Sequence, residues 1–474
     1  MTTNSSLRAL FEPKSIAVVG ASSKKGKTSY FLMQNLLKGG YAGKVYPVNP
    51  NAKKIFKYKS YPSVLDIPDE IDLAFLVVTN DVVERVLLDC SKKNVKAVMI
   101  VTAGFAEVGE QGAELQKRVA EFLRSHGMRG LGPNSVGMVN ASQKLVGSFV
   151  PFSRWPEGTI AMASQSGIFA GALVADFAAE RTQRIGLSMA VCFGNKVDVD
   201  EVDFLEYAAE DPATKVIALH LESFRRPREF LSLANRVKQT KPVVVLKTGR
   251  TAEGAKAAAS HTGSLAAPDR LVDAALRQYG VVRAESLDDF KGMLRGFAWQ
   301  PLPRGRRVGV LTFSGALGVM TVDEMKVAGL ELAKLSPSTV QTIARLMPKW
   351  QGVENPVDGW VALGAGARKI HEEMMEALLA DPNVDMVFGI LLPIPNSDFP
   401  DEREVFDGLM RRHPDKPIFL LLVGDRVKER WLKELDDLHL PNYVDPRTAV
   451  RAMQAMCSYA EQRNRMSPDP LSLP

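Results

Sequence analysis

Three patterns predict an α/β protein built from doubly wound parallel sheets. Short apolar strands alternate with helical stretches through the first part of the chain. The remainder carries an internal duplication of one strand–turn–helix plan. The length, 474 residues, asks for about three domains of ordinary size.

The first domain, expected over 1–143, reads strand by strand. Ser15-Ile16-Ala17-Val18-Val19-Gly20 is a buried strand that ends in glycine, and a helical pattern follows from Thr28 through Leu37. Val45–Pro50, Leu73–Val78 and Ala97–Val101 are three further strands with helical stretches between them. Strands alternating with helices imply a parallel sheet, and in such sheets ligands gather at the carboxyl ends of the strands.

Within the rest of the chain, Ile160-Ala161-Met162-Ala163-Ser164-Gln165-Ser166-Gly167 is matched by Val308-Gly309-Val310-Leu311-Thr312-Phe313-Ser314-Gly315. Three more echoes keep the same order: Asn195–Asp198 with Asn355–Asp358, Tyr207–Pro212 with Ala377–Pro382, and Lys241–Leu246 with Lys416–Leu421. Two domains of similar build are therefore expected at 144–299 and 304–464, joined by the hinge Gln300–Gly305, with a disordered tail over 465–474.

The composition is that of a folded soluble protein, 46% hydrophobic and 24% charged. No apolar run reaches the roughly 18 residues that span a bilayer, and the start Met1-Thr2-Thr3-Asn4 lacks the pattern of a signal peptide. Cys90, Cys192 and Cys457 stand alone, without metal-ligand spacing. A cytoplasmic protein with reduced thiols and no metal site is expected. The net charge of +6 is spread out; it suits an anionic ligand, and no basic stripe points to nucleic acid.

The loop after the first strand, Ala21–Thr28, is the first candidate site. Gly20 and Gly26 let backbone approach a ligand closely, open amides at the following helix start point outward, and Lys24, Lys25 and Lys27 add positive charge. A phosphate-bearing ligand is expected; an ordinary glycine turn with solvated lysines is the plain alternative. The spacing Gly-x5-Gly is not the dinucleotide fingerprint, and the second strand ends in Asn49-Pro50 where a nicotinamide site wants an acid.

His261 is the second candidate. It lies in Gly249–Ser264, a run of mostly small residues after the strand Pro242–Lys247. Small side chains anchor a loop poorly, so a mobile loop is expected, and neutral imidazole can accept a phosphoryl group. An exposed histidine without a role is the alternative. The first copy of the repeat spends about thirty residues between Arg250 and Gly280, whereas the second spends about fourteen between Arg426 and Pro441. The segment holding His261 is thus not needed to make the fold. Glu222, at a strand end, is positioned to accept the other ring N–H; a surface glutamate beside Arg225 and Arg226 is the alternative. Ser164, Gln165, Ser166 and Gly167 offer a hydroxyl and open amides for a phosphate, with simple helix capping as the alternative.

These segments resemble the α subunit of the NDP-forming acyl-CoA synthetases, relatives of succinyl-CoA ligase. The matching motifs include Leu10–Ser22, Tyr46–Pro50, Thr102–Phe105, Gly130–Gly137, Ser164–Gly167, Gly194–Asp198 and Ser260–Ser264, so the resemblance runs over nearly the whole chain. It implies a Rossmann-like CoA-binding domain followed by two flavodoxin-like domains. It places coenzyme A at Gly20, Ser22, Lys24, Gly26, Lys27, Pro47 and Asn49, with Asn134 near the reactive end. His261 matches the phosphorylated histidine, Glu222 its acid, and Ser166 the phosphate-binding helix start.

The implied reaction joins a carboxylic acid to CoA reversibly, with ATP or GTP giving NDP and phosphate, through an acyl phosphate and phosphohistidine on a swinging loop. The resemblance also implies an ATP-grasp module binding the Mg2+ nucleotide. The three domains leave no space for one, so a separate β subunit and an αβ or α2β2 hetero-oligomer are expected. Thr312–Gly318 departs from the family's Asn-Ala-Gly-Gly-Pro-like turn, which leaves the acid open. Trp350, Trp360 and Phe388 are candidates to shape an acyl pocket, or else core residues. Two other readings compete: a noncatalytic CoA-binding regulatory or scaffold protein, which the joint presence of His261, Glu222 and Ser166 opposes, and a nicotinamide-dependent oxidoreductase, which the first loop opposes.

Overall fold

The computed structural model describes residues 3–150, 157–167, 183–262, 267–361, 367–393, 402–424 and 426–471. The chain forms two compact units. One comprises 1–179, 186–283 and 467–474, and the other 180–185 and 284–466.

The first unit holds two large sheets and a small antiparallel pair, β3 (Lys54–Ile55) with β4 (Tyr58–Lys59). In the first, β1 (Ser15–Val19) lies between β2 (Lys44–Val48) and β5 (Leu73–Leu76), and β6 (Ala97–Ile100) and β7 (Arg129–Leu131) complete a parallel sheet of order β2-β1-β5-β6-β7. β1, β5 and β6 are buried along their whole length, as strands covered on both faces must be. The helix Thr28–Lys38 buries Ser29, Leu32, Met33 and Leu36, the spacing of one helical stripe; Asn80–Lys92 does the same with Val83, Val86, Leu87 and Cys90.

The second sheet has the order β14-β13-β12-β10-β11-β8-β9. Its centre is parallel: β10 (Glu157–Ser164) pairs with β11 (Leu187–Cys192) and β12 (Val216–Leu221), and β12 pairs with β13 (Val243–Lys247), beyond which lies β14 (Val282–Ala284). The hairpin of β8 (Gly137–Asn140) and β9 (Leu145–Ser148) adds antiparallel to β11, so the 143/144 division falls inside this hairpin. One apolar cluster spans both sheets, from Leu7 and Phe11 through Met99 and Leu131 to Phe204, Leu219 and Val245. Phe11 packs on Phe204 and Tyr207, and the Tyr207 hydroxyl donates to Glu12 at 2.7 Å. Burying one such phenylalanine stabilises by up to about 3 kcal/mol, and the shared core makes the two sheets one body.

In the second unit, β15 (Arg307–Thr312) lies between β16 (Glu331–Leu332) and β18 (Met386–Leu391). β19 (Ile418–Leu422) follows β18, and the short β17 (Val357–Asp358) also pairs with β15. A bridge from Leu420 to Asn442 stands where β14 stands beside β13, so the two copies share the order of their central strands. They also share a lysine clasp. Lys241 donates to the Asp211 carbonyl at 2.7 Å, and Lys416 donates to the Asp381 carbonyl. The Asn195/Asn355 echo ends at the sequence. Asn355 bonds Val310 N–H and the Val308 and Ala333 carbonyls inside its own sheet, whereas Asn195 reaches Glu107 and Gln116.

The chain passes into the second unit ahead of the Gln300–Gly305 hinge. The helix Leu287–Trp299 belongs there by packing: Phe297 meets Tyr459 edge-on, and the Tyr443 hydroxyl donates to the Gly292 carbonyl at 3.2 Å. Phe388 is wholly buried in β18, whereas Trp350 and Trp360 are exposed. At the chain's end, within the expected tail, Ser467 bonds Asn235 and the Gln278 carbonyl of the first unit. The last residues, 472–474, lie outside the described residues.

Candidate active site

The register of the second sheet sets the geometry. Ser164 of β10 stands beside Cys192 of β11 and His220 of β12, and His220 stands beside Leu246 of β13. The chain therefore leaves three neighbouring strands at one level. Ser164–Gly167 closes β10, Glu222 follows β12 directly, and Thr248 opens the segment that leads from β13 to His261.

The β10 turn is held by its own polar atoms. Ser164, fully buried, donates to the Ser166 carbonyl at 3.0 Å and accepts from Ser166 N–H at 3.1 Å. Gln165 N–H donates to the His220 carbonyl at 3.0 Å, and its side-chain oxygen accepts from Glu222 and Ser223 N–H at 3.0 and 3.2 Å. Gln165 thus pins the end of β12 to the turn. Gly167 leaves no room for a side chain, because a Cβ there would meet Val136 at 2.8 Å.

Buried charge surrounds Glu222, itself only 8% exposed. Burial pushes the Lys247 ammonium below its ordinary pKa; Asp269 and Glu222 oppose that push, and Arg283 and Lys196 add to it. Lys196 is held by Glu201 at 2.8 Å and by the Ser223 carbonyl at 2.7 Å. The two arginines near Glu222 in sequence are engaged elsewhere: Arg226 with Asp200, Asp203 and Glu229, and Arg225 with the Lys196 and Asp198 carbonyls.

The run expected to be a loop is the helix Ala252–Thr262, ending one residue past the histidine. Its residues explain the difference. Alanine, the strongest helix former, fills the centre, and Thr251 supplies the start, its hydroxyl accepting from Gly254 N–H at 3.0 Å. This helix lies against the 106–108 turn of the first sheet. At His261 the description covers the backbone only, and Gly263 and Ser264 lie outside the described residues.

The first-sheet candidates form a second edge in the same unit. Gly20 and Gly26 have φ of +87° and +88°, in the left-handed region that favours glycine. Gly20 and Ala21 N–H both donate to the Val48 carbonyl, and Asn49 donates to the Ala21 carbonyl at 2.8 Å, so the ends of β1 and β2 are tied together next to Pro47. Ser22 accepts from Lys24 N–H at 3.1 Å. Lys24, Lys25 and Lys27 are exposed, and the helix from Thr28 has no side-chain cap. Open amides, free lysines and the empty space around Gly26 suit a phosphate-bearing ligand. Asn134, at φ +60°, donates its N–H to the Thr102 carbonyl at 2.8 Å.

Gly20 and Gly26 make opposite predictions. A Cβ at Gly20 would sit 2.1 Å from the Val77 carbonyl oxygen, so Gly20→Ala is expected to cost about 3 kcal/mol or more, read as a lowered Tm. A Cβ at Gly26 would meet nothing within 4 Å, so Gly26→Ala is expected to cost roughly 1 kcal/mol and to show chiefly as weaker ligand binding by calorimetry.

The two edges are joined by residues that sequence reasoning left unassigned. N–H groups of Asn195, Val197 and Val199 donate to the Pro133, Gly132 and Gly130 carbonyls, laying 193–199 on the 130–134 turn. Asn195 also donates to Glu107 at 2.6 Å and to Gln116 at 2.9 Å, and Glu107 accepts from Gly104 N–H at 2.7 Å. Burial alone would raise the Glu107 pKa. The Asn195 amide and the backbone N–H groups outweigh burial and hold it below the usual carboxylate range.

Residues 14–141 match the model of a CoA binding domain, and residues 157–297 that of a succinyl-CoA ligase like flavodoxin domain. The alpha subunit of acetate–CoA ligase (ADP-forming) I from Pyrococcus furiosus is 37% identical, over 96% of this chain and 98% of its own length. The chain belongs to the family of ADP-forming acyl-CoA ligase alpha subunits. Acetate–CoA ligase (ADP-forming) II of Archaeoglobus fulgidus is 38% identical over 96% of this chain, which spans 67% of that longer protein. A solved dinucleotide forming acetyl-coenzyme A synthetase 1 from Ca. Korarchaeum cryptofilum, in complex with phosphate and ADP, superposes with a TM-score of 0.89 at 35% identity, covering 96% of this chain and 97% of the other.

As a member of this family the chain is an acid–thiol ligase subunit that uses coenzyme A and a nucleotide. The noncatalytic CoA-binding alternative is not favoured. No helix among the described residues is long and apolar enough to cross a membrane.

Proposed function

We propose that this ligase subunit carries phosphoryl groups on His261 between a CoA site at the first sheet edge and a nucleotide bound by a separate chain. One observation carries the reading. The helix that carries His261 in its last turn follows the strand beside that of Glu222 and lies against the 106–108 turn of the CoA-binding sheet. In this reading phosphate attacks the thioester carbonyl of an acyl-CoA and the CoA thiolate leaves as thiol, giving an acyl phosphate. An imidazole nitrogen of His261 then attacks phosphorus and the carboxylate leaves. ADP takes the phosphoryl group from nitrogen and becomes ATP. Each carrier is a reactive phosphate, so the sequence also runs in reverse.

Within the reading, Glu222 holds the imidazole, and Ser164, Gln165, Ser166 and Gly167 seat the phosphate. Gly20, Ser22, Lys24, Gly26, Lys27, Pro47, Asn49 and Asn134 hold CoA. Three working regions follow: 1–143 for CoA, 144–299 for the phosphohistidine and 304–464 as the second flavodoxin-like domain. A Mg2+ nucleotide belongs to an ATP-grasp β subunit in a hetero-oligomer. That view is supported by relatives that occur both as separate alpha subunits and as longer single chains. Relatives named for acetate and for 4-hydroxybutyrate, at 37% and 35% identity against 30% for one named as a trans-feruloyl-CoA synthase, support a small aliphatic acid as substrate. The test is ATP formation from ADP, phosphate and a panel of acyl-CoA thioesters, with the chain reconstituted with its ATP-grasp partner. Acetyl-CoA is expected to turn over, whereas release of CoA without ATP would sink the reading.

A further inference from the structure

His220 carries an inference beyond these assignments. It is 4% exposed and sits on β12 between the β10 turn and the start of the His261 segment. Its Nδ1 is 3.0 Å from the Ser164 hydroxyl, and its Nε2 is 3.4 Å from the Thr248 hydroxyl. One assignment uses every one of these contacts. Ser164 spends its one hydrogen on the Ser166 carbonyl and accepts from Ser166 N–H, leaving one lone pair free to accept. With the Ser164 hydrogen on that carbonyl, Nδ1 carries the ring hydrogen and donates to Ser164, and Nε2 accepts from Thr248.

We propose that His220 is a positioning residue for phosphoryl transfer: its neutral imidazole locks the Ser164–Gly167 turn to Thr248, fixing the phosphate seat relative to the segment that bears His261. The proposal rests on the reading of that turn and of His261 given above. The surroundings keep the ring neutral. Burial first, and then the nearby Lys247 cation, push the His220 pKa down to about 4. Lys247 in turn feels Asp269, Arg283, Glu222 and Lys196, so the charges near the ring form one coupled set. A protonated ring would present a second donor to Thr248 in place of an acceptor, and the lock would open.

The test uses the full-length protein with acetyl-CoA and phosphate, reading acid-labile phosphate on His261, together with 15N NMR of the histidine rings. Wild type is expected to show His220 as the Nδ1–H tautomer, uncharged down to pH 5. His220→Phe is expected to keep CoA affinity and Tm while the phosphorylation rate falls at least tenfold and the KM for phosphate rises. His220→Asn, whose amide can still donate to Ser164, is expected to restore part of the rate. Because both residues serve one lock, Ser164→Ala combined with His220→Phe should cost little more than either alone.

A ring that titrates near 6.5, a fully additive double variant, or a folded His220→Phe protein with an unchanged rate overturns the proposal. Wild type that never labels on His261 overturns the phosphohistidine reading and this proposal with it. The NMR tautomer separates the two failures, because it reads the lock without any turnover.

Discussion

Full-length His261→Ala protein, reconstituted with the proposed nucleotide-binding subunit, is expected to make ATP from acetyl-CoA, phosphate and ADP at least roughly 10^4-fold more slowly than wild type, as happens when a covalent nucleophile is removed. In the proposed scheme the acyl phosphate and the nucleotide belong to different sites, so without the carrier the phosphoryl group has no direct route from one to the other. The fold should be indifferent to the change. His261 lies in the last turn of a helix of mostly small residues, and alanine is a better helix former than histidine by up to about 0.7 kcal/mol. CoA affinity should also be untouched, since the CoA segments are on the first sheet. The checks are coupled ATP formation, acid-labile phosphate on the protein, CoA titration and Tm. Turnover within tenfold of wild type would remove phosphohistidine from the mechanism.

The contrast between what the chain's pattern announced and what it concealed follows physical lines. Buried parallel strands are continuous apolar runs, so Ser15–Val19, Ala97–Ile100 and Val243–Lys247 were legible, and so was the repeated plan that sets the ends of β10 and β15. The His261 run is a helix where a loop is expected, because poor anchoring by small residues concerns packing, whereas alanine's helix propensity decides the backbone. The β8–β9 hairpin was hidden because its partner, β11, lies nearly fifty residues further on, and only tertiary packing brings them together. The Asn195–Glu107 bond spans 88 residues for the same reason. His220 had a local signal, a polar residue inside the apolar run Val216–Leu221. A polar side chain buried in a central strand must find partners, and that rule singles it out. Its partners, Ser164 and Thr248, follow only from strand order and register.

Glu222→Gln is the second large effect, because it removes a charge and leaves the shape. The Glu222 backbone N–H still donates to Gln165, so the end of β12 should stay where it is. What changes is the field. The carboxylate is the acid proposed to hold the His261 ring, and it also helps keep the buried Lys247 charged. The phosphorylated ring loses the acceptor that orients and stabilises it, and Lys247 is left with less opposing charge in a buried site. By analogy with other orienting carboxylates changed to amides, phosphorylation is expected to slow by roughly 10^3-fold. Lys247, already depressed by burial, should lose its proton at a lower pH than in wild type.

Glu222→Asp, which keeps the charge on a shorter arm, should recover part of the rate. Single-turnover labelling of His261 across pH 6 to 9 reads both effects. The amide variant should be slow throughout that range. If Glu222→Gln labels within threefold of wild type, the carboxylate is not the group that holds the imidazole, and the buried charge around Lys247 serves the fold alone.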